Sequence, residues 1–403
     1  MVAHFTVNGD RVAGALTAQP IGLVTHRAFY GRHPWRSVGG LIGPGHRPAG
    51  NDHNGRMLLD RITAEIRSDG PIGFDRFMEI ALYDPDGGYF ATGALRSDRA
   101  GDFLTSPEIS PMFGETIAGF IGAEHGRLGA PFSVIEVGGG SGSLLRSLLD
   151  SLAFDPESVV AVERSEAARA SIEDVVPEAE VLDRISRSRG VIVANELLDN
   201  MPAALAVRRG SEWRERRVGI AGPGLELVEL DPLPIVAEWA ERHAGSVPEG
   251  AQVEVQIQAT EWVVDHLRLL ESGAMLLFDY GDLAANLEHR RAEGTVRTYR
   301  RHHLGPDPLA EPGATDITMD VDFSAVMAAA GKAGVKVELL RQDDFLEQWG
   351  LGERLSALRR GVLIAARQGR TMDQLKLKSQ VIEAETLLHP RGLGDFRVAV
   401  CRK

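Results

Sequence analysis

The sequence predicts an α/β fold built on a doubly wound, mostly parallel sheet, and three observations carry that expectation. From residue 131 onward, short β-branched apolar runs alternate with segments whose apolar residues recur at helical spacing. Alternation of that kind gives a parallel sheet covered on both faces. The run Ser133-Val-Ile-Glu-Val137 passes directly into Gly138-Gly-Gly-Ser-Gly142, and Leu144, Leu145, Leu148 and Leu149 follow at helical spacing. A strand that ends in glycines and feeds a helix sets bare backbone and a helix N-terminus beside a ligand. Strand-like runs persist to the C-terminus, where Phe396-Arg-Val-Ala-Val-Cys401 closes the series.

Strands are expected at 133–138, 159–163, 179–183, 190–195, 274–280, 335–341 and 396–402, with helices at about 143–152, 165–174, 256–271, 322–333 and 343–366. Residues 203–231 hold two short strand-like runs, read as a hairpin at the ligand-facing edge, within an insertion at about 203–250. Ahead of the sheet, Leu58, Leu59, Ile62 and Ile66 make an apolar helical stripe stopped at Gly70-Pro71, and 74–82 reads as a second helix. Tyr83-Asp-Pro-Asp-Gly-Gly88 is turn chemistry. A loop-rich stretch then runs to Gly114, and Glu115 to His125 is helical again. Residues 57–130 are therefore expected to cap the strand ends of a core at 131–403. Residues 1–56 are expected as a loosely ordered extension, since the first fifty are rich in Gly, Pro, His and Arg with Asp10 their only acid.

Composition narrows the function classes. A formal charge of −13 argues against a general nucleic-acid binder, whose affinity leans on Lys and Arg. The single cysteine, Cys401, excludes an intrachain disulfide and a Cys-based metal cluster, and it reads as a small core residue. No apolar run approaches the roughly eighteen residues of a membrane helix. Only five of the 44 basic residues are lysines, which with abundant Ala and Gly points to a GC-rich, bacterial source, and the single cysteine points to a reducing, cytoplasmic setting. His302 and His303 lack partners at metal-ligand spacing.

Glycine spacing selects the ligand. The dinucleotide fingerprint G-x-G-x-x-G, counted from Gly138 and Gly140, would need its third glycine at Ser143. The glycine stands at 142 instead, giving E-x-G-x-G-x-G from Glu136. That arrangement suits S-adenosylmethionine: Glu136 can pair with the ligand's ammonium group, and Gly138, Gly140 and Gly142 let its amino-acid tail lie against the loop. Glu163 ends the second strand about twenty residues beyond the loop, the offset at which a carboxylate meets ribose hydroxyls. Asp183, closing the third strand, is a further cofactor candidate. Seven strands with a late last one fit a methyltransferase-type sheet, whose final strand inserts antiparallel. A nicotinamide-dependent oxidoreductase is disfavoured by Ser143 and by the lack of a recognisable catalytic dyad. A serine hydrolase is disfavoured because Ser141 lies in no G-x-S-x-G elbow.

In an open α/β sheet, ligands bind at the carboxyl ends of the strands. The fourth strand ends in Asn195-Glu196-Leu-Leu-Asp199-Asn-Met-Pro202 and the fifth in Asp279-Tyr280-Gly281. Glu196 and Asp199, with Asn195 beside them, can orient a cationic nucleophile, and a guanidinium matches bidentate carboxylates; the other reading is that they cap the following helix, which stands level for Asp199, while function is favoured for Glu196. Asp279 and Tyr280 either line the substrate side or pin the turn at Gly281.

Several longer runs resemble the MidA-type S-adenosylmethionine-dependent methyltransferases, which include the mitochondrial arginine methyltransferase that assists assembly of respiratory complex I. They are Phe77-Met-x3-Leu82-Tyr-x-Pro-x2-Gly88-Tyr-Phe, Gly101-Asp-Phe-Leu-Thr-Ser-Pro-Glu108-Ile-Ser-x2-Phe113-Gly-Glu, Asn195-Glu-Leu-Leu-Asp-Asn-Met-Pro202 and Asp279-Tyr-Gly281, then Gly294-Thr-x-Arg-x-Tyr299, Asp316-Ile-Thr-x2-Val321-Asp-Phe323 and Gln342-x2-Phe345-Leu. The resemblance covers about residues 77–396. It implies a class I methyltransferase fold with a cap, S-adenosylmethionine as cofactor, and a protein substrate, in the mitochondrial member an arginine on a complex I subunit. It also implies that the loop from Gly101 to Glu108, with Asp102, Thr105 and Glu108, closes over the cofactor. Where the family commonly reads Thr-Ala-His-Val, this chain has Thr318-Met-Asp320-Val. The other function open at this point is a non-catalytic assembly factor that binds the cofactor for structure. A eukaryotic source would place the protein in the mitochondrial matrix.

Overall fold

The computed structural model describes residues 51–91, 105–300 and 303–403. Its centre is a seven-stranded sheet made of β1 (Ser133–Val137), β2 (Ser158–Val162), β3 (Glu180–Leu182), β4 (Ser188–Asn195), β5 (Leu270–Asp279), β6 (Lys336–Arg341) and β7 (Arg397–Arg402), in the order β3-β2-β1-β4-β5-β7-β6. β1 is parallel to β2 and β4, β4 to β5, and β2 to β3, while β7 runs antiparallel to β5 and β6. Successive side chains leave a strand on opposite faces. Val191, Val193, Leu276 and Val400 accordingly join the core on one face, and Ile192, Ala194, Leu277 and Cys401 the core on the other. Both faces are covered at the middle of the sheet, which is why its inner strands are mostly apolar, while the edge strands keep exposed Glu180, Lys336 and Glu338. The chain leaves β1 toward β2 and returns to β4 on the opposite side. That reversal opens a crevice at the carboxyl ends of β1 and β4.

The insertion is larger than the expected hairpin. Ala204–Arg209, Glu212–Ala221, Gly224–Leu230 and Gln252–Val255 form a second sheet, whose fifth strand is Ile72–Gly73 from the N-terminal segment. Leu58, Ile62, Phe77 and Met78 pack with Leu205, Val218, Ile317 and Met319 in a core of their own. The helix Met112–Leu128 instead joins the main sheet through Phe113, Ile117, Phe120 and Ile121. The described parts of residues 57–130 thus divide between two cores, because the first helices carry a wide apolar face that needs a sheet to cover it. The helix expected at 343–366 is two, Gln342–Gln348 and Leu351–Arg367, broken at Gly350 with φ +97°. Helix Thr371–Leu387 was absent from the sequence expectation: its apolar residues do not fall on one side, Met372 and Ile382 being exposed and Ala384 and Leu387 buried.

Candidate active site

A cavity of about 460 Å³ opens at the β1–β4 crevice, within the roughly 300–1,000 Å³ common for small-ligand sites. Its base is the glycine loop. Gly138 and Gly140 have φ of 75° and 52°, left-handed values that glycine adopts without a Cβ penalty. A Cβ on Gly139 would stand 3.3 Å from the Glu136 carboxylate. Glu163 holds the loop from β2: its carboxylate accepts the N–H of Gly140 at 3.2 Å, of Arg164 at 2.7 Å and of Ser165 at 2.9 Å. Glu108, on the short helix Ser106–Ile109, accepts the hydroxyls of Ser141 and Ser143, the latter at 2.8 Å. The segment ending the 101–108 loop is thereby joined to the glycine loop, and Thr105, Pro107 and Glu108 all line the cavity.

The other wall comes from β4 and the turn after it. Glu196 lines the cavity beside Asn195, whose amide donates to its carboxylate at 3.2 Å. Burial, and then the neighbouring Asp199, push the Glu196 pKa up to about 8. Burial also raises Asp199 to about 7, against the Tyr280 hydroxyl that donates to it. Asp279 is likewise raised, by burial and by Asp199 and Glu196. No cation is paired with Glu196 or Asp199 among the described residues, and the Oδ1 atoms of Asn195 and Asp199 are buried without partners. Across the cavity Tyr83 stacks on Phe90, donates its hydroxyl to the Asn200 carbonyl at 3.1 Å, and carries the Arg164 guanidinium over its ring at 4.5 Å.

The candidates from sequence fall into three groups. Glu136, Gly138, Gly140, Glu163, Asp183, Thr105, Glu108, Asn195 and Glu196 all line the one cavity. Asp183 stands at an exposed edge, paired with Arg169. Gly142, Asp199, Asp279 and Tyr280 lie outside the lining: Gly142 begins the helix Ser143–Leu149 with φ 81°, and the other three cluster next to Glu196, the two carboxyls buried and Tyr280 half-buried. Asp102 and His302 lie outside the described residues, and His303 is exposed. Asp320, which replaces the histidine of the resembling family, is buried between Arg290 at 2.8 Å and Arg297 at 3.0 Å and does not line the cavity. Sequence reasoning overlooked Trp262 and His266, which line the cavity from the helix Ile257–Leu269 and stack at 3.9 Å. Their i, i+4 spacing was the available signal.

Glu136 tests whether S-adenosylmethionine fits. It is 4% exposed, its Oε2 has no partner, and burial with nearby Glu163 pushes its pKa up to about 8. Such a group is short of a cation, and the ligand's ammonium supplies one. The bare glycine backbone leaves room beside it. The residues present fit the group.

Sheet order, an antiparallel last inner strand and an acid–glycine loop at the switch point together define a class I S-adenosylmethionine-dependent methyltransferase. Residues 116–340 match the model of a family of S-adenosyl-L-methionine-dependent methyltransferases, and the chain belongs to that family, with S-adenosylmethionine as its cofactor. Similar proteins include the mitochondrial protein arginine methyltransferase NDUFAF7 of Bos taurus, 28% identical over 409 residues, or 90% of this chain and 86% of that one. The mitochondrial NDUFAF7 homolog of Drosophila melanogaster is 26% identical over 320 residues, 69% of this chain and 70% of that one. Among solved structures, a COG1565 superfamily member from Burkholderia thailandensis bound to S-adenosyl-homocysteine superposes with a TM-score of 0.79 at 30% identity, covering 90% of this chain and 95% of that one.

Proposed function

We propose that this methyltransferase acts on an arginine side chain of a protein. The observation that carries the reading is the group of buried carboxyls at the ends of β4 and β5, raised in pKa by burial and by their own mutual repulsion, with no cation paired to Glu196 or Asp199 among the described residues. A guanidinium meets that need with five fixed N–H donors and a charge that survives burial. The naming of the relatives as protein arginine methyltransferases supports it.

Glu136 would hold the cofactor's ammonium, the backbone at Gly138 and Gly140 its tail, and Glu163 its ribose. Bound there, the cofactor supplies a sulfonium methyl for in-line displacement, a reaction governed chiefly by positioning. Glu196 then orients the acceptor: its carboxylate accepts guanidinium N–H groups, Asn195 Oδ1 accepts another, and Asp199 adds negative charge from behind. A nitrogen that gains a methyl must shed a proton; a bound guanidinium favours the ionised form of Glu196, and the same burial that raises its pKa makes that carboxylate a ready acceptor for the proton released. Glu108 and Thr105 cover the loop and exclude water.

The family resemblance points to a complex I-type respiratory subunit as acceptor, the arginine-over-lysine bias to a bacterial source, and the single cysteine to its reducing cytoplasm; all three are part of the proposal. Purified protein incubated with methyl-labelled cofactor and a bacterial extract should yield labelled methylarginine after hydrolysis of the protein fraction. Label confined to lysine or to small molecules sinks the acceptor assignment.

A further inference from the structure

Helices Leu351–Arg367 and Thr371–Leu387 pack against each other as a hairpin. Its root is buried, with Leu351, Leu355, Ala384 and Leu387 in the core on one face of the main sheet. The helices approach closely at Gly361, where a Cβ would stand 3.2 Å from Leu377, and Arg359 bridges to Glu385 at 2.7 Å. Toward the turn between the helices the apolar side chains lose their cover. Leu363 is 60% exposed, Ile364 49%, Met372 68% and Leu375 55%. With Ile382, five of the twelve exposed large apolar side chains among the described residues sit on this one hairpin, so the exposure is concentrated rather than scattered.

Cations border those residues. Arg360, Leu363, Ile364 and Arg367 fall at i, i+3, i+4 and i+7 of one helix, and Met372, Leu375, Lys376 and Ser379 at the same spacing on the other. From Arg359 to Lys378 there are six basic residues and one acid, Asp373, in a chain whose net charge is −13. Arg359 and Arg370 are paired, but Arg360, Arg367, Lys376 and Lys378 have no recorded partner among the described residues.

We propose that the tip of this hairpin docks on an anionic lipid bilayer. Aliphatic side chains edged by Lys and Arg match a negatively charged headgroup layer over an acyl interior, the cations reaching back to lipid phosphates. A second copy is a poorer occupant. Two hairpins would set cation against cation, and at the root Glu383 is already bonded to Ser110 and Ser379 and Glu385 to Arg359, leaving Glu353 against four unpaired cations. Single-stranded nucleic acid needs stacking platforms, and residues 351–388 contain no aromatic side chain. The chain's overall negative charge does not oppose docking, because at physiological salt charges beyond about 8 Å are largely screened.

The full-length protein is tested by flotation with vesicles of phosphatidylcholine alone, or with about one-third phosphatidylglycerol added, at about 0.05 M and about 0.5 M salt. Sedimentation velocity without lipid runs beside it. The expected result is roughly tenfold more protein on the anionic vesicles at low salt, reduced at high salt. Both the Leu363→Glu/Ile364→Glu and the Lys376→Gln/Lys378→Gln variants should lose that binding, while keeping the unaltered protein's thermal shift with S-adenosylhomocysteine. Equal recovery with both vesicle types, or none, overturns the proposal. So does a dimer in solution that Leu363→Glu/Ile364→Glu dissociates, which would make this face a contact between copies. The cofactor shift reads the methyltransferase site separately.

Discussion

The carboxylate of Asp279, at the end of β5, accepts the backbone N–H of Leu198 at 2.9 Å and so fixes the turn that follows β4. It also accepts the N–H of Asp199 at 3.3 Å and of Tyr280 at 2.9 Å. Asp279 therefore reaches the site through the turn that carries Glu196 and Asn200. Alanine here strands the buried N–H groups of Leu198 and Asp199 and the half-buried one of Tyr280, and each buried donor costs about 1–3 kcal/mol when left unpaired. Asp279→Ala should lower the unfolding free energy by about 3 kcal/mol or more, read by urea titration, with Asp279→Asn milder. A loss below about 1 kcal/mol would show that the turn holds its shape unaided.

Glu196 has φ 50°, the only positive value at a non-glycine residue among those described. Backbone strain of this sort, about 1–3 kcal/mol, persists where surrounding structure enforces it, often at functional sites. Glu196→Gly should therefore raise the melting temperature while abolishing methyl transfer. Glu196→Gln keeps the shape and removes the charge; it should cut kcat/KM for the acceptor about a hundredfold, the cost of unpairing a buried cation. Cofactor affinity, followed by calorimetry, should hardly change. Full complementation of a deletion strain by an inactive Glu196→Gln protein would favour the assembly-factor role over the catalytic one.

How far the sequence discloses this arrangement depends on how local each feature is. β1, the glycine loop and the helix after it lie within 133–149, and all three were legible because one short stretch contains the whole unit. The same holds for the strands of the main sheet, whose apolar runs are bounded by turns. The second sheet was not legible, since Ile72–Gly73 is a two-residue strand that pairs with Val218 and Arg217 far along the chain. Nor could spacing separate Glu196, which faces the cavity, from Asp199, which faces Tyr280. That division follows from the backbone at Glu196, and no residue pattern announces a strained φ.

Burial raises Glu136 and Glu196 from 4.5 to about 8. A carboxyl whose folded pKa exceeds its unfolded one stabilises the fold fully below the unfolded value, and that contribution disappears as pH rises through the folded value. Relative to Glu136→Gln, the ligand-free protein should thus lose melting temperature steadily between pH 4.5 and about 8. The ligand's ammonium group favours the ionised form, so S-adenosylhomocysteine should bind more tightly as pH rises across the same window and release protons as it binds, measurable by calorimetry in buffers of different ionisation enthalpy. A difference curve that rises with pH would mean Glu136 is ionised without a ligand.

Gly138 and Gly142 share left-handed backbone, φ 75° and 81°, yet only Gly138 lines the cavity. A Cβ on Gly138 would lie 3.0 Å from Leu197 Cδ1, and one on Gly142 3.3 Å from the Ile172 backbone. Alanine at either place should cost about 1–2 kcal/mol of stability, the penalty for an L-residue in that conformation. Ligand response should then separate them. S-adenosylhomocysteine at a hundred times its dissociation constant stabilises by about 2.7 kcal/mol; that gain should survive in Gly142→Ala and vanish in Gly138→Ala. Loss of the thermal shift in both variants would mean that the loop acts as one rigid piece, with its contact to the cofactor spread beyond the residues that face the cavity.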